Sequence, residues 1–178
     1  MDKSELRAYM RQRKKEMREA MARTQDAAPR LMLCPQFARA SVAALFRSLP
    51  DEPGTLGALL APRAVTLLPV IGAGGRAALA LYEGEERMRV GEYGIMEPCG
   101  APYDDYGSVE VIVVPGVAFD RLGGRIGRGK GYYDRLLPQL RHAYRIGLCF
   151  DFQIVDSVPA DENDATVDEV IAVPTVAP

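Results

Sequence analysis

Two runs in this chain, Val109–Val114 (VEVIVV) and Tyr144–Phe150 (YRIGLCF), are nearly continuous in apolar residues. A strand with one wet face alternates polar and apolar side chains. Runs like these need cover on both faces, as the central strands of a parallel sheet have. Four more β-forming runs, Ser41–Phe46, Val65–Pro69, Ala77–Tyr82 and Glu169–Val173, alternate with helical stretches at Pro29–Ala40, Gly54–Ala61 and Tyr132–Leu140. That order predicts an α/β fold, a three-layer sandwich around a mostly parallel sheet with an N-terminal basic helix. A length of 178 residues suits one domain. With no internal repeat or linker, residues 1–178 are read as that single domain. Ala77–Tyr82 and the segment after it, Glu83–Gly94, are predicted to pair as a hairpin.

The N-terminal segment, residues 1–23, is read as a helix over 2–22 packed on the core. Asp2 can cap it, and Glu5 three positions on completes a capping box. Leu6, Met10 and Met17 form a narrow apolar stripe; Lys3, Arg7, Arg11, Lys14 and Arg18 form a second stripe beside it. Charge is concentrated here. The first 23 residues carry eight basic and four acidic side chains, although the whole chain has a net charge of −2. Such a ladder is either a solvated face or a helix docked with its cations toward a polyanion, and the pattern leaves both open.

Composition narrows the chemistry. Three cysteines, Cys34, Cys99 and Cys149, are an odd number without a C-x-x-C pair. They argue against a disulfide framework or a zinc site and for a reducing, cytoplasmic location; all three are read as small core hydrophobes. A single histidine, His142, argues against a His-based metal centre or a Ser-His-Asp triad and is read as a surface residue at a helix end. No apolar run approaches the roughly 20 residues of a membrane-spanning helix. The charged start from Asp2 lacks the apolar core of a secretory signal. Asp104 and Asp105 sit in a Pro/Tyr/Gly loop and are read as solvated.

The informative stretch is Val113–Asp134, VVPGVAFDRLGGRIGRGKGYYD. It leaves an apolar strand, turns at Pro115-Gly116 and runs to a helix start. Gly123, Gly124, Gly127, Gly129 and Gly131 are interleaved with Arg125, Arg128 and Lys130. Glycines at this density let backbone N–H groups converge on an anion, and a following helix adds its N-terminal dipole. Gly124–Lys130 fits G-x-x-x-x-G-K, but Gly131 stands where a Ser or Thr would ligate magnesium, so a carboxylate such as Asp134 would have to replace it. The spacing does not match the dinucleotide fingerprint G-x-G-x-x-G. Lys130 is the single lysine after residue 15.

The run PGVAFDRLGGRIGRGKGYYD resembles the signature of the 5-formyltetrahydrofolate cyclo-ligase family, also called 5,10-methenyltetrahydrofolate synthetases. KSELR, DEPGT, LLPVI, YGIMEP and ENDATVDEV follow the family's order, so the resemblance covers nearly the whole chain. It implies an ATP-dependent ring closure with magnesium and ATP, acting on a reduced folate. By this resemblance Lys3 and Arg7 are phosphate-binding positions. Arg125, Gly127, Arg128, Gly129, Lys130, Gly131, Tyr132 and Tyr133 form the ATP loop, with Arg128 and Tyr132 also touching the folate, and Arg125 and Lys130 acting in catalysis. Asp134 and Asp164 are the implied magnesium ligands, and Glu52 the acceptor for the pterin ring. Without the resemblance, Glu52 reads as a surface turn residue. Arg47 departs from the pattern, standing where similar proteins have an apolar residue on the folate pocket.

The expected partners are the small molecules 5-formyltetrahydrofolate and ATP, bound by a monomer, with no nucleic acid and no membrane. Another ATP- or phosphosugar-handling enzyme on a related scaffold is the alternative, since a fold and a phosphate loop do not fix the second substrate. A nucleic-acid module using the basic helix and RGRGKG is disfavoured by the net charge and a pI near 5.5.

Overall fold

The two apolar runs become neighbouring strands in the middle of a six-stranded sheet. The computed structural model describes residues 1–24, 26–72, 76–91, 94–162 and 164–175. Tyr93 of YGIMEP and Asn163 of ENDATVDEV lie outside the described residues. Eleven strands are described: β1 Val42–Ala44, β2 Val65–Gly72, β3 Arg76–Leu81, β4 Met88–Val90, β5 Met96–Pro98, β6 Val111–Pro115, β7 Ala118–Asp120, β8 Arg125–Ile126, β9 Tyr144–Phe150, β10 Ile154–Val155 and β11 Glu169–Val173. Six α-helical segments accompany them: α1 Lys3–Glu16, α2 Arg18–Arg23, α3 Ala28–Leu31, α4 Pro35–Arg39, α5 Leu56–Leu59 and α6 Tyr132–Leu136. The large sheet runs β11-β9-β6-β1-β2-β3. Every pairing in it is parallel except β2 with the edge strand β3.

Both faces of this sheet are covered, which gives the three layers. On one face, Met21, Leu31, Phe37, Ala58 and Leu59 from α2–α5 pack against Leu45, Leu68, Val113, Ile146 and Leu148. On the other, Leu136, Leu137 and Leu140 pack against Leu67, Ile112, Val114 and Cys149. Chain order reverses direction across the sheet between β1 and β6, because β2 lies to one side of β1 and β6 to the other. Clefts in open α/β sheets form outside the carboxyl ends of strands at such a switch.

Several sequence expectations need correction. The N-terminal helix breaks at Met17, whose φ and ψ are −90° and 9°. The two halves serve different cores: Leu6 and Met10 pack on Ala118, Ile126 and Val158, whereas Met17 and Met21 join the α2–α5 layer. The stretch Pro29–Ala40 splits at Pro35, because a residue before proline is pushed out of helical geometry and proline suits a helix's first position. Ala77–Tyr82 does pair as a hairpin, but backward with β2 and not with the segment after it; that segment holds β4, which pairs with β5 just beyond its end. Strand β2 continues through Pro69 to Gly72. Proline fits there because β1 flanks β2 only as far as Leu67 and because the carbonyl of the facing Leu79 accepts from the Tyr103 N–H, so it needs no donor from residue 69. Cys34 and Cys149 are buried as expected, but Cys99 is exposed. His142, Asp104 and Asp105 are exposed. Among the described residues no helix is long and apolar enough to cross a membrane.

The largest correction concerns the glycine-rich stretch, whose first half is folded. Strands β7 and β8 form a hairpin, with β10 parallel to β7 as a third strand. Gly123 and Gly124 make its turn, so the apparent G-x-x-x-x-G-K spacing straddles a strand and is not one phosphate loop. Asp120 holds the turn: one carboxylate oxygen accepts from the N–H groups of Leu122 (2.9 Å) and Gly124 (2.8 Å), and the other from Val158 (2.9 Å). Three amides on one buried carboxylate are costly to orphan. Asp120→Ala should destabilise the protein by about 2–4 kcal/mol, read from urea unfolding followed by circular dichroism. A loss below about 0.5 kcal/mol, the level of an ordinary surface change, would show that the turn does not depend on it.

Candidate functional site

The cleft opens at the switch point. Phe46, Arg47 and Leu49 follow β1, and Pro115-Gly116 ends β6; all five line a cavity of about 240 Å³. Part of the lining is apolar, with Phe46, Leu49, Leu68, Pro69, Ile71 and Met96. Part is charged, with Lys3, Arg7, Arg47, Glu52, Glu97, Arg125, Arg128, Lys130, Asp134, Arg135 and Asp164. Every site residue predicted from sequence lines this one cavity, although they come from four separated segments.

Helix α1 reaches the cleft because its capping box fixes where it starts. Asp2 accepts from the N–H groups of Ser4 and Glu5, and Glu5 accepts from the N–H of Asp2. Leu6 and Met10 then clamp α1 onto the β7–β8 hairpin. This sets Arg7 beside the glycine-rich loop, where its Nε donates to the Gly127 carbonyl at 2.9 Å. Lys3 Nζ donates to Asp161 at 2.6 Å and also to Asp164. Partial burial works to raise the Asp164 carboxyl, but hydrogen bonds from Lys3 and the Asp161 N–H, with the ammonium's charge, hold it below the usual carboxylate range. The basic ladder is therefore split. Lys3, Arg7 and Lys14 turn inward, whereas Arg11 and Arg18 are exposed.

Arg125 sits on β8 with only 5% of its surface exposed. One terminal nitrogen donates to Asp134 at 2.5 Å, and its guanidinium carbon lies 5.7 Å from the centre of the Tyr133 ring. Its Nε is buried and, among the described residues, has no acceptor. Beyond β8 the loop bends sharply: Gly129 has φ +92° and Gly131 φ +63°, values an L side chain rarely adopts. A Cβ on Gly131 would also come within 2.9 Å of the Arg135 guanidinium, which itself donates to the Lys130 carbonyl at 3.0 Å. Lys130 is exposed at the cleft's rim. Helix α6, at five residues, is shorter than expected, so anion-binding capacity rests on the loop's amides and cations more than on a dipole.

Tyr132 anchors α6 to the sheet, its hydroxyl lying 2.8 Å from the Val70 carbonyl and 3.0 Å from that of Ala78. Burial pushes the phenols of Tyr132 and Tyr133 up, so Tyr132 remains a donor at neutral pH. Glu52 is no surface residue: its side chain is 8% exposed. Its oxygens accept from Arg128 at 3.0 Å and from the Leu49 N–H at 2.9 Å. Arg47 does line the cavity, with its guanidinium held by Glu85 at 2.9 Å. Sequence reasoning missed Asp51, Asp161 and Glu97. Asp51 and Asp161 are the carboxylates that hold Lys14, Arg128 and Lys3; Glu97 is a buried cleft residue accepting from the Ile71 N–H at 3.0 Å. The available signal was an acidic residue beside each motif position, in DEPGT and ADEND. Among the described residues, no three His, Cys, Asp or Glu side chains converge as a metal cage.

Fold and cleft together define an α/β enzyme whose site joins a glycine- and arginine-rich loop to an apolar pocket. The model of the 5-formyltetrahydrofolate cyclo-ligase family matches residues 1–173. The cyclo-ligase of Mycolicibacterium smegmatis is 33% identical over 95% of this chain and 92% of its own length. The mouse cyclo-ligase is 44% identical over 36% of this chain, a match spanning 34% of that enzyme. The solved structure of 5,10-methenyltetrahydrofolate synthetase from Aquifex aeolicus superposes with a TM-score of 0.78 at 31% identity, covering 98% of this chain and 90% of that one. This chain belongs to the 5-formyltetrahydrofolate cyclo-ligase family.

The positive φ of Gly129 gives a direct check on the loop. Gly129→Ala adds about 1–2 kcal/mol of backbone strain, and relaxing it would swing the loop's amides. Affinity for a nucleoside triphosphate, measured by isothermal titration, should fall roughly tenfold. Unchanged affinity would mean that the loop's backbone does not hold the phosphates.

Proposed function

We propose that this chain converts 5-formyltetrahydrofolate to 5,10-methenyltetrahydrofolate with ATP as co-substrate, in the cleft at the β1/β6 switch point. The observation that carries the reading is one cavity whose lining joins an apolar set with Glu52 to the cationic glycine-rich loop with Lys130. A flat reduced pterin suits the first and a triphosphate the second. In this reaction the formyl oxygen attacks the γ-phosphorus and ADP leaves. N10 then adds to the activated carbon and closes the ring; loss of the N10 proton and expulsion of phosphate leave the 5,10-methenyl product. The protein need supply no nucleophile; phosphoryl transfer rests on positioning and charge neutralisation, which is what this set of side chains offers.

Roles follow from position. Lys3 and Arg7 on α1 and the loop Arg125–Gly131 hold the phosphates, with the acceptor-less Nε of Arg125 as one free donor. Tyr132 and Tyr133 shape the junction between the two parts of the lining. Arg128, between Glu52 and the loop, faces both substrates. Glu52 accepts from the pterin ring. A divalent cation fits this donor set: Asp134 and Asp164 line the same cavity, and magnesium is held by one or two carboxylates with substrate phosphates supplying the rest. Bound there, it would neutralise phosphate charge. These two carboxylates are paired with Arg125 and Lys3, so the acids that would hold the metal lie beside the cations that would hold phosphate. The inward cations of α1 are spent on the protein's own acids and carbonyls, an arrangement that suits a small-molecule site better than a nucleic-acid face.

An assay following methenyl absorbance with 5-formyltetrahydrofolate, Mg-ATP and purified protein tests the reading; absence of ATP-dependent product would overturn it. Within it, Lys130 bears on the γ-phosphate, where charge shifts during attack. A contact that strengthens in the transition state appears in kcat, whereas uniform binding appears in KM. Lys130→Ala should lower kcat by about 10²–10³, the range for one preorganised donor. Lys130→Arg should recover part of it, since a planar fork does not replace a compact ammonium. Steady-state kinetics showing wild-type kcat in Lys130→Ala would remove this lysine from the chemistry.

A further inference from the structure

Both carboxylate oxygens of Glu52 have partners within the protein. One oxygen is taken by the Leu49 N–H and the other by Arg128. The turn itself can keep the first bond, because a main-chain amide fixes the carboxylate without neutralising it. The Arg128 contact is different. It is an ion pair on the oxygen that must face a ring donor, and the side chain of Glu52 is 8% exposed, so little water competes for it. A charged partner this close makes Glu52 a poorer acceptor for a neutral N–H, which must displace a stronger charge-assisted bond.

The neighbouring residue supplies a second destination for Arg128. The same terminal nitrogen that lies 3.0 Å from Glu52 lies 2.7 Å from Oδ1 of Asp51. The other carboxylate oxygen of Asp51 accepts from Lys14 Nζ at 2.8 Å, and its main-chain carbonyl accepts from the same ammonium at 2.7 Å. Lys14 is only 11% exposed. It comes from α1, the helix that carries Lys3 and Arg7 into the cleft. So Asp51 is bound on both sides: α1 fixes it through Lys14, and it fixes Arg128 in turn. Burial works to raise the Asp51 carboxyl, but the bonds from Lys14 and Arg128 hold it below the ordinary carboxylate range, so it stays charged across the neutral range.

We propose that Asp51 is a positioning residue for the folate side of the reaction: clamped by Lys14, it draws Arg128 off Glu52 and so leaves Glu52 free to accept from the substrate's ring. When Glu52 turns to the substrate, Arg128 keeps a carboxylate partner and stays in the loop beside Gly127 and Gly129. Without Asp51, Arg128 has Glu52 as its one remaining carboxylate in this turn and competes with the substrate for it. The inference rests on the role given to Glu52 in the proposed function, and it adds a residue that touches neither substrate.

The test is a double-mutant cycle on the full chain, with unfolding midpoints recorded for every variant. Asp51→Asn should raise the KM for 5-formyltetrahydrofolate about tenfold, several-fold more than it raises the ATP KM, and leave kcat within about twofold of wild type. Asp51→Glu, which restores the charge one methylene further out, should recover part of that loss. In an Arg128→Ala background the competitor is gone, so adding Asp51→Asn should change the folate KM by less than about twofold. The same loss in both backgrounds, or equal losses for both substrates, would mean that Asp51 merely holds the turn together and would overturn the proposal. Glu52→Gln run in parallel separates the two levels. If it leaves the folate KM unchanged, the role of Glu52 fails and this inference with it. If it raises the folate KM while Asp51→Asn does not, only the role of Asp51 fails.

Discussion

The site depends on one apolar contact behind the cleft: Leu6 and Met10 of α1 against Ala118, Val158 and Ile126, which itself lines the cavity. It joins residues near the start of the chain to a hairpin more than a hundred positions later. Apolar burial of this kind is strong but without direction. Direction comes from the capping box at Asp2, which fixes where the helix begins, and from the Arg7 bond to the Gly127 carbonyl, which fixes its rotation. With those set, Lys3 and Arg7 face the cleft and Lys14, on the same stripe, reaches Asp51. A helix that could slide by one turn would lose all three contacts together.

The second constraint is charge. The cleft gathers many cations, and a desolvated cation without a partner is expensive. The chain meets the difficulty by pairing each inward cation with an acid or a carbonyl: Lys3 with Asp161 and Asp164, Lys14 with Asp51, Arg125 with Asp134, Arg128 with Asp51 and Glu52. Such pairs add little net stability where they are wet. Their value here is preorganisation, since the cations are already in place when phosphate charge arrives and little reordering is needed. The proposed metal ligands and two of the proposed phosphate-binding cations are partners in the same ion pairs.

The sequence made some of this legible. Strands β9 and β11 were found to the residue because apolar runs with clear turn signals on both sides leave few choices. The capping box was readable because its geometry is set by residues three apart. The hairpin β7–β8 was not, since two- and three-residue strands carry no usable period and its turn glycines were read as part of the phosphate loop. Pro69 misled the end of β2 because proline's cost depends on whether its neighbour strand is present, a tertiary fact. The ladder on α1 was visible, but which of its cations turn inward is decided by Asp51, Asp161 and Asp164, which are distant in sequence. Glu52 was reachable only through resemblance; its burial and its competition with Arg128 could not be read from DEPGT.

The central claim is that α1 is part of the nucleotide site and not a solvated basic face. Isothermal titration of Mg-ATP into the full chain carrying Lys3→Ala and Arg7→Ala tests it most directly, with hydrogen exchange across residues 2–12 to verify that α1 remains docked through Leu6 and Met10. The account expects ATP affinity to fall by about tenfold or more, with α1 still protected. Wild-type affinity in a chain whose helix stays docked would contradict it.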